Sequence, residues 1–275
     1  MAAKMTDESP LGRQSTYLEQ YSPGLLYAIA RTGNREALGL GDNLPFHGTD
    51  IWNAWELTWL DSDGLPQVGT AEIRVPASSP NIIESKSLKL YLNSFAMTRC
   101  ASTSDVAEMI EQDLSDAAGV DIAVQVQRPS ETDASTVMRL PGESLDDQQI
   151  SCDAYEVDSA LLQANADDVV TESLHSHLLR SLCPVTSQPD TGSVLVTYSG
   201  PRIDPAGLLR YIVSYRQHQD FHETCVERIF LDIMDRCKAE KLTVYARYQR
   251  RGGIDINPFR SNFEDEPPNP RLWRQ

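Results

Sequence analysis

The chain has 275 residues, with 40 acidic and 24 basic side chains that give a formal net charge of −16. Its 40% hydrophobic and 23% charged residues are ordinary for a folded globular protein, which excludes bulk disorder and small disulfide-held scaffolds. The acidic charge repels phosphate backbones and anionic lipids, so the composition disfavours direct nucleic-acid or membrane-surface binding.

The acidic charge is concentrated in one part of the chain. Residues 101–175 hold 17 acidic and 2 basic side chains, whereas the rest of the chain holds 23 and 22. Such a block is usually a solvated face, but a non-catalytic binding module could use it to recruit a basic partner. Both interpretations stay open at this point.

The cellular setting follows from what the sequence lacks. It shows no apolar signal region at its N-terminus and no window of 18 apolar residues. The five cysteines are odd in number and irregularly spaced, without a CxxC pair, which fits neither a disulfide framework nor a cysteine zinc site. We therefore expect a cytoplasmic protein with free thiols and no membrane contact.

The first half of the chain predicts a strand pair, two helices and a closing strand. After a loose tail at 1–24, bulky residues alternate along 51–60 and 70–75, which indicates two antiparallel strands. Apolar residues at helical spacing follow, and then a second alternating run. The predicted helices cover 84–95 and 104–118, and the closing strand covers 120–126.

The second half repeats this plan after a stretch rich in Pro, Ser and Asp at 128–153, interpreted as an acidic linker. Asp204 and Pro205 supply an N-cap and a first-turn proline for a helix that ends near residue 215. The other predicted elements are a strand at 193–198, a helix at 221–238 and a strand at 242–248.

The repeated plan indicates an α+β duplication, with helices on one face of antiparallel sheets. The predicted organisation is a tail at 1–24, an N-terminal module at 25–127, the acidic linker at 128–153 and a C-terminal catalytic module at 154–275.

Cys183 is the thiol best placed for chemistry. Two prolines and Asp190 bracket it, which predicts a stiff loop running into a strand. An accessible thiol on such a loop is a candidate nucleophile. The alternative is a small buried hydrophobic residue beside a proline turn.

Two helix starts carry further candidates. Glu84 opens a helix that continues with Lys86 and Lys89, and lysines there oppose the helix dipole unless they meet an anionic ligand. His222 and Glu223 open the long helix, where they could equally serve as capping or surface residues.

The basic segment 247–253, RYQRRGG, follows the last strand. Its paired glycines would let the backbone approach a phosphate, although a simple basic turn explains it as well.

Common cofactor and metal motifs are missing. The only GxG, at 39–41, lacks the third glycine of the dinucleotide fingerprint, and Walker A, HExxH and GxSxG are absent. His175 and His177 lie in a polar, helix-like stretch without a further ligand at metal spacing, so we expect no metal site there.

Four segments taken together resemble the NADPH-dependent 7-cyano-7-deazaguanine reductases, the nitrile reductases of queuosine biosynthesis, in their long two-module form. The resemblance covers roughly residues 20–265. The segments are ESKSLKLY at 84–91, CPVTSQPD at 183–190, FHE at 221–223 and RGGIDINPFRS at 251–261.

The resemblance implies roles for single residues. Cys183 matches the nucleophile that forms a thioimide with the nitrile, Asp190 the general acid, and His222 a catalytic neighbour. The residues that match substrate contacts are Ile83, Glu84, Ser85, His222 and Glu223, and those that match NADPH contacts are Ser85, Lys86, Arg251 and Gly252.

The resemblance also implies a tunnelling fold of two ferredoxin-like modules, a homodimer, a free deazapurine substrate, two NADPH per turnover and no metal. The alternative enzyme on the same fold is a pterin- or purine-binding hydrolase that uses Cys183 as a metal ligand or nucleophile.

Overall fold

The computed structural model describes residues 17–131 and 137–275, which form two compact units. None of the helices in these ranges combines the length and apolar character that a membrane span requires. Of the described residues, unit 1 takes 17–40, 50–131 and 250–256, and unit 2 takes 41–49, 137–249 and 257–275. Strands β2 (His47–Leu60) and β10 (Ile254–Ser261) contribute residues to both units.

Unit 1 follows the predicted order of strand pair, two helices and closing strand. Its strands run in the order β5-β3-β2-β10, and β1 pairs separately with β4 in antiparallel register. Apart from β2 and β10, its elements are β1 Ala28–Ala30, α1 Thr32–Ala37, β3 Pro66–Pro76, β4 Asn81–Ile83, α2 Ser85–Asn93, α3 Thr103–Ala118 and β5 Ala123–Gln127.

Local chemistry explains where the long helix of unit 1 begins and ends. The Ser102 hydroxyl accepts from the Asp105 N–H, and the Asp105 carboxylate accepts from the Ser102 N–H, which is a capping box. Gly119 ends α3 in the left-handed conformation, with φ of +75°. The apolar face of α3, including Val106 and Ile110, packs into the unit's core with the Trp59 side chain.

Unit 2 repeats the plan with longer strands. Its strands run in the order β10-β9-β8-β7-β6, antiparallel except for the short parallel pair of β6 and β7. Apart from β10, its elements are β6 Glu143–Ser144, β7 Ala164–Leu182, β8 Pro189–Ile203, α4 Pro205–Ser214, α5 His222–Cys237 and β9 Lys241–Tyr248. The mixed α+β class predicted from the sequence is confirmed.

Single side chains at equivalent positions of the two units make equivalent hydrogen bonds. Glu84 and Asp204 are the N-caps of α2 and α4, and both carboxylates accept from the backbone N–H three residues later. Ser94 and Ser214, at the ends of these helices, each donate to the carbonyl of a tyrosine three residues earlier.

The tyrosines of this repeat bind equivalent carboxylates on the second helix of each unit. The Tyr91 hydroxyl donates to Asp113 over 2.5 Å, and the Tyr211 hydroxyl donates to Asp232 over 2.6 Å. Each aspartate is the eleventh residue of its helix, α3 or α5. The duplication therefore extends to residues that hold the two helices of each unit together.

The described part of the predicted tail at 1–24 begins at Tyr17. There Tyr21 packs edge-on against Phe95, and its hydroxyl donates to Asp113 over 2.7 Å. Residues 1–16 lie outside the described residues.

The described part of the predicted acidic linker contacts strand β7. Leu140 and Leu145 are buried, and Asp146 accepts hydrogen bonds from Ser176 and from the His177 N–H. Residues 132–136 lie outside the described residues.

The helix-like interpretation of the stretch around His175 and His177 is wrong, because both residues lie on β7. Exposed polar residues alternate with half-buried ones along much of this strand, so the sequence lacks the apolar run that usually marks a strand. Pairing with the buried strand β8 imposes the extended conformation, with Leu174 opposite Val196.

Candidate active site

Cys183 lies in the tight loop between β7 and β8. Its N–H donates to the Gln188 carbonyl over 2.9 Å, and its own carbonyl accepts from the Ser187 N–H over 3.0 Å. Ser187 has a positive φ of 54°, and its hydroxyl accepts from the Gln219 side chain. The loop that carries the thiol is therefore held at both ends, and the thiol itself is half-buried.

Asp190 stands at the other end of this loop, where β8 begins. The register pairs it with Ser181, two residues before Cys183. The hydrogen bond from Cys183 to Gln188 continues the ladder, so alternation along the hairpin directs Cys183 and Asp190 to the same face. The Asp190 side chain is only 3% exposed. A thiol and a buried carboxyl group thus share one face of one hairpin.

His222 joins this pair from the first turn of α5. Its Nε2 lies 3.3 Å from Asp190 Oδ2, and its ring stacks on Tyr248 with 3.8 Å between centroids and 7° between planes. Glu223 follows it in the same turn and is 4% exposed. A buried carboxylate in the first turn suits the helix dipole, and its oxygens also suit the N–H edge of a purine-like base.

In unit 1, Glu84 is the N-cap of α2. Its carboxylate accepts from the Lys86 N–H over 2.7 Å and from the Ser87 N–H over 2.8 Å, and the residue is 1% exposed. Burial raises the pKa of Glu84, while these two hydrogen bonds and the charges of Lys89 and Lys86 act in the opposite direction. A carboxylate offers about four acceptor positions, so two N–H bonds leave it able to accept from a ligand.

The same helix start adjoins the glycine turn before β10. Arg251 and Ile254 exchange backbone hydrogen bonds of 2.8 and 3.2 Å across Gly252 and Gly253, whose φ values of +58° and +82° favour glycine. A Cβ on Gly252 would lie 3.2 Å from Cδ of Lys89, so the lysine stem passes close over this turn. Helix α2 and the turn therefore form one basic surface with exposed backbone, which suits an anionic ligand.

The structure places the predicted site residues in two groups. Unit 2 holds Cys183, Asp190, His222 and Glu223, which the β7–β8 hairpin and the start of α5 bring together. Unit 1 holds Ile83 at the end of β4 and the others at the start of α2 or in the glycine turn. These others are Glu84, Ser85, Lys86, Arg251 and Gly252.

Sequence reasoning missed Tyr248, and it named Lys89 only as a helix-start lysine that opposes the dipole unless it meets an anionic ligand. Tyr248 is an ordinary strand residue in the sequence, and only the fold shows that its ring covers His222. Lys89 had a signal, since it follows Lys86 by one helical turn.

The other cysteines and the two strand histidines take structural positions. Cys225 and Cys237 are buried on α5, as predicted. His175 contacts the Pro141 carbonyl and His177 the Ser193 hydroxyl. Within 17–131 and 137–275, no three His, Cys, Asp or Glu side chains come together as metal ligands.

Comparisons with known proteins give concordant results. The family model described as "Nitrile reductase, 7-cyano-7-deazaguanine-reductase N-term" matches residues 17–126, and a second, "QueF-like protein", matches residues 189–267. Proteins named NADPH-dependent 7-cyano-7-deazaguanine reductase from Paraburkholderia phytofirmans and Burkholderia vietnamiensis are each 54% identical over 271 residues. The alignments cover 98% of this chain and 99% of each relative.

One solved structure, of the archaeosine synthase QueF-Like in the apo form, covers 35% of this chain and 96% of its own. It is 17% identical with a TM-score of 0.31, which is too slight a likeness for an argument about the fold.

Proposed function

Because this chain belongs to the NADPH-dependent 7-cyano-7-deazaguanine reductase family, we propose that it reduces the nitrile through a thioimide on Cys183. The chain is an oxidoreductase that depends on NADPH and acts on 7-cyano-7-deazaguanine. The proposed product is 7-aminomethyl-7-deazaguanine, and the proposed setting is queuosine biosynthesis. Family membership decides against a non-catalytic binding module.

One observation carries the mechanism: a half-buried thiol and a buried, histidine-paired carboxyl group lie on the same face of the β7–β8 hairpin. A nitrile carbon is a weak electrophile, and a soft thiolate is a suitable nucleophile for it. The Cys183 sulfur forms a bond to this carbon, and one π bond of the nitrile breaks. Its electron pair stays on nitrogen, which takes a proton from Asp190 to give the thioimide C(=NH)–S.

His222 is proposed to hold Asp190 for this transfer, since its Nε2 lies 3.3 Å from the carboxyl group. When the adduct has been reduced once, Cys183 must leave as a thiolate so that carbon can be reduced again. NADPH, when bound, supplies hydride, and two hydrides convert a nitrile into a primary amine.

The basic surface of unit 1 fits a phosphate-bearing cofactor. Lys86 and Arg251 are proposed to contact NADPH, with Ser85 and the open backbone at Gly252 beside them. A Cβ on Gly252 would lie 3.2 Å from Cδ of Lys89, so even a small side chain at this position would press on the lysine beside the exposed backbone of the turn.

The deazaguanine is proposed to be bound by carboxylates. Glu84 and Glu223 would accept from its guanine-like N–H groups, and Ile83, Ser85 and His222 would contact it beside them. Both carboxylates are buried, at 1% and 4% exposure, which strengthens a charge-assisted hydrogen bond.

The thioimide is tested with Cys183→Ala. Wild-type protein mixed with 7-cyano-7-deazaguanine should show a new absorbance and a mass increase of one substrate molecule, and NADPH should be oxidised in a 2:1 ratio to substrate. The variant should keep its fold by circular dichroism and form no adduct. Wild-type protein that retains a free Cys183 thiol but forms no adduct would contradict the mechanism.

The assembly and the finer fold remain part of this proposal. We propose tunnelling-fold modules at 25–127 and 154–275, which overlap the two matched family models, and a homodimer. Light scattering should then give a mass near twice the 30.6 kDa of one chain. We also propose a reducing, cytoplasmic setting, because the role given to Cys183 needs a free thiol, and all five cysteines are free.

A further inference from the structure

Tyr248 touches the proposed proton-donating pair, although the mechanism gives it no role. Its ring lies nearly parallel to that of His222, with 7° between planes and 3.8 Å between centroids. A contact this flat and close controls the orientation of the imidazole plane. The same imidazole reaches Asp190 through Nε2.

The other ring nitrogen of His222 does not help to fix the orientation of the imidazole. Nδ1 is buried and has no hydrogen-bond partner among the described residues. The imidazole is thus oriented by one contact at Nε2 and by the stack on Tyr248. Without the stack, one long contact of 3.3 Å would be left to set the rotamer.

Tyr248 itself is fixed from several sides. It is fully buried, and its carbonyl accepts from the Gln275 side chain over 2.6 Å. It pairs with Gly192, where an added Cβ would lie 3.1 Å from Cδ1 of the tyrosine ring. Gly192 therefore leaves the space in which the ring lies, two residues along β8 from Asp190.

The phenol of Tyr248 stays neutral. Burial, with the nearby Cys225 and Asp190, raises its pKa well above the usual range. The aromatic face offered to His222 is therefore that of a neutral ring.

We propose that Tyr248 is a positioning residue for the proton transfer: its ring, seated against Gly192, holds the imidazole of His222 in the plane that keeps Nε2 on Asp190. This inference rests on the proposed function, because it assigns the stack to the proton donor of thioimide formation. The aromatic ring is what matters, and the phenol hydroxyl is dispensable.

The test compares Tyr248→Phe, which keeps the stack, with Tyr248→Leu, which removes it. Stopped-flow absorbance measures the rate constant of thioimide formation at saturating 7-cyano-7-deazaguanine. We expect Tyr248→Leu to be slower by about 10- to 100-fold, as for a misplaced proton donor, and Tyr248→Phe to stay close to wild type. The ring-current shift of the His222 Hε1 proton should persist in Tyr248→Phe and vanish in Tyr248→Leu.

Tyr198→Leu is the matched control. Tyr198 is a buried tyrosine on β8, eight residues from Asp190, or roughly 26 Å along an extended strand. Its loss should lower Tm and leave the adduct rate unchanged, which separates lost packing from lost positioning.

Gly192→Ala provides a second route if Tyr248→Leu does not fold. The new methyl group presses on the ring of Tyr248 and should slow adduct formation while the shift of His222 changes. If Tyr248→Leu forms the adduct as fast as wild type, the inference is overturned. The same holds if Gly192→Ala displaces the stack without slowing the adduct. In both cases the thioimide mechanism itself would still stand. Equal slowing in Tyr248→Phe and Tyr248→Leu would also overturn the inference. A wild-type protein without an adduct would instead overturn the proposed function, and this inference with it.

Discussion

Glu84 has two assignments at once, one structural and one functional. As the N-cap of α2 it accepts two backbone N–H groups, and the proposal also has it accept from the substrate. Asp204 caps the equivalent helix of unit 2 and has no proposed ligand. The duplicated fold thus provides the means to separate the two contributions.

We expect Glu84→Ala and Asp204→Ala each to lower the free energy of unfolding by about 1 kcal/mol, because each loses its N-cap. Only Glu84→Ala should also raise KM for 7-cyano-7-deazaguanine. Urea unfolding and steady-state kinetics measure the two effects. An equal rise of KM in both variants would show that Glu84 acts through the helix and does not contact the substrate.

We expect ionisation of the Tyr21 phenol to destabilise the protein in alkali. Burial and the hydrogen bond to Asp113 raise its pKa to about 12. An unfolded tyrosine ionises near pH 10, so the unfolded chain releases the proton first and ionisation favours unfolding. The stabilising contribution is complete below pH 10 and disappears as the pH rises through 12.

Tyr21→Phe should make the fall in unfolding free energy between pH 10 and pH 12 less steep, as measured by urea unfolding at several pH values. Tyr17→Phe is the control, since that side chain is 70% exposed. Parallel curves for wild type and Tyr21→Phe would contradict the assignment.

At the scale of elements, the proposed site depends on where helices and hairpins begin. The nucleophile lies in the β7–β8 loop, the histidine in the first turn of α5 and the lysines in the first turns of α2. The first N–H groups of a helix have no partner within the helix and can meet anions, although at α2 the Glu84 carboxylate takes two of them, so the lysine side chains there are the groups proposed for the cofactor.

The glycine turn beside α2 yields a prediction for NADPH. Gly252→Ala adds a methyl group 3.2 Å from Cδ of Lys89, on the turn whose exposed backbone is proposed to contact NADPH, and should therefore raise KM for NADPH. The positive φ of +58° adds a backbone cost of about 1 kcal/mol.

Gly39→Ala is the control for that backbone cost. Gly39 has φ of +75°, and nothing lies within 4 Å of its added Cβ. It should lose similar stability without a change in KM for NADPH. If both variants raise KM alike, backbone strain is responsible and not the methyl group at the proposed cofactor contact.

At the scale of the whole molecule, the charge of −16 sets the range of partners. The excess lies in residues 101–175, and the segment of β9 and the glycine turn is locally basic. A reductase that acts on a free deazapurine does not have to bind an RNA phosphate backbone. The clustered basic residues suit the phosphates of a nicotinamide cofactor instead.

We therefore expect no binding of tRNA at about 0.15 M salt, because an acidic surface gains nothing from counterion release. An electrophoretic mobility shift assay with tRNA at micromolar protein measures this. Any saturable shift at this salt concentration would contradict it.

The sequence by itself determined the family, the α+β class and the residues proposed for chemistry, because these rest on local patterns and on short segments in a recognisable order. The cap at Asp204 and the helices α2 to α5 were also predictable, since capping groups and apolar spacing act over a few residues. The residue-by-residue correspondence of the two units was not, because Tyr91 and Tyr211 are recognisable as a pair only through Asp113 and Asp232.

Only the tertiary structure decided the rest. Strand β7 is extended because β8 pairs with it, although its own residues resemble a polar helix. Tyr248 meets His222 because a strand late in the chain passes beneath the start of α5, a contact between residues 26 positions apart. The pairing of strands and the stacking of rings depend on which surfaces the fold brings together, and no local pattern records that.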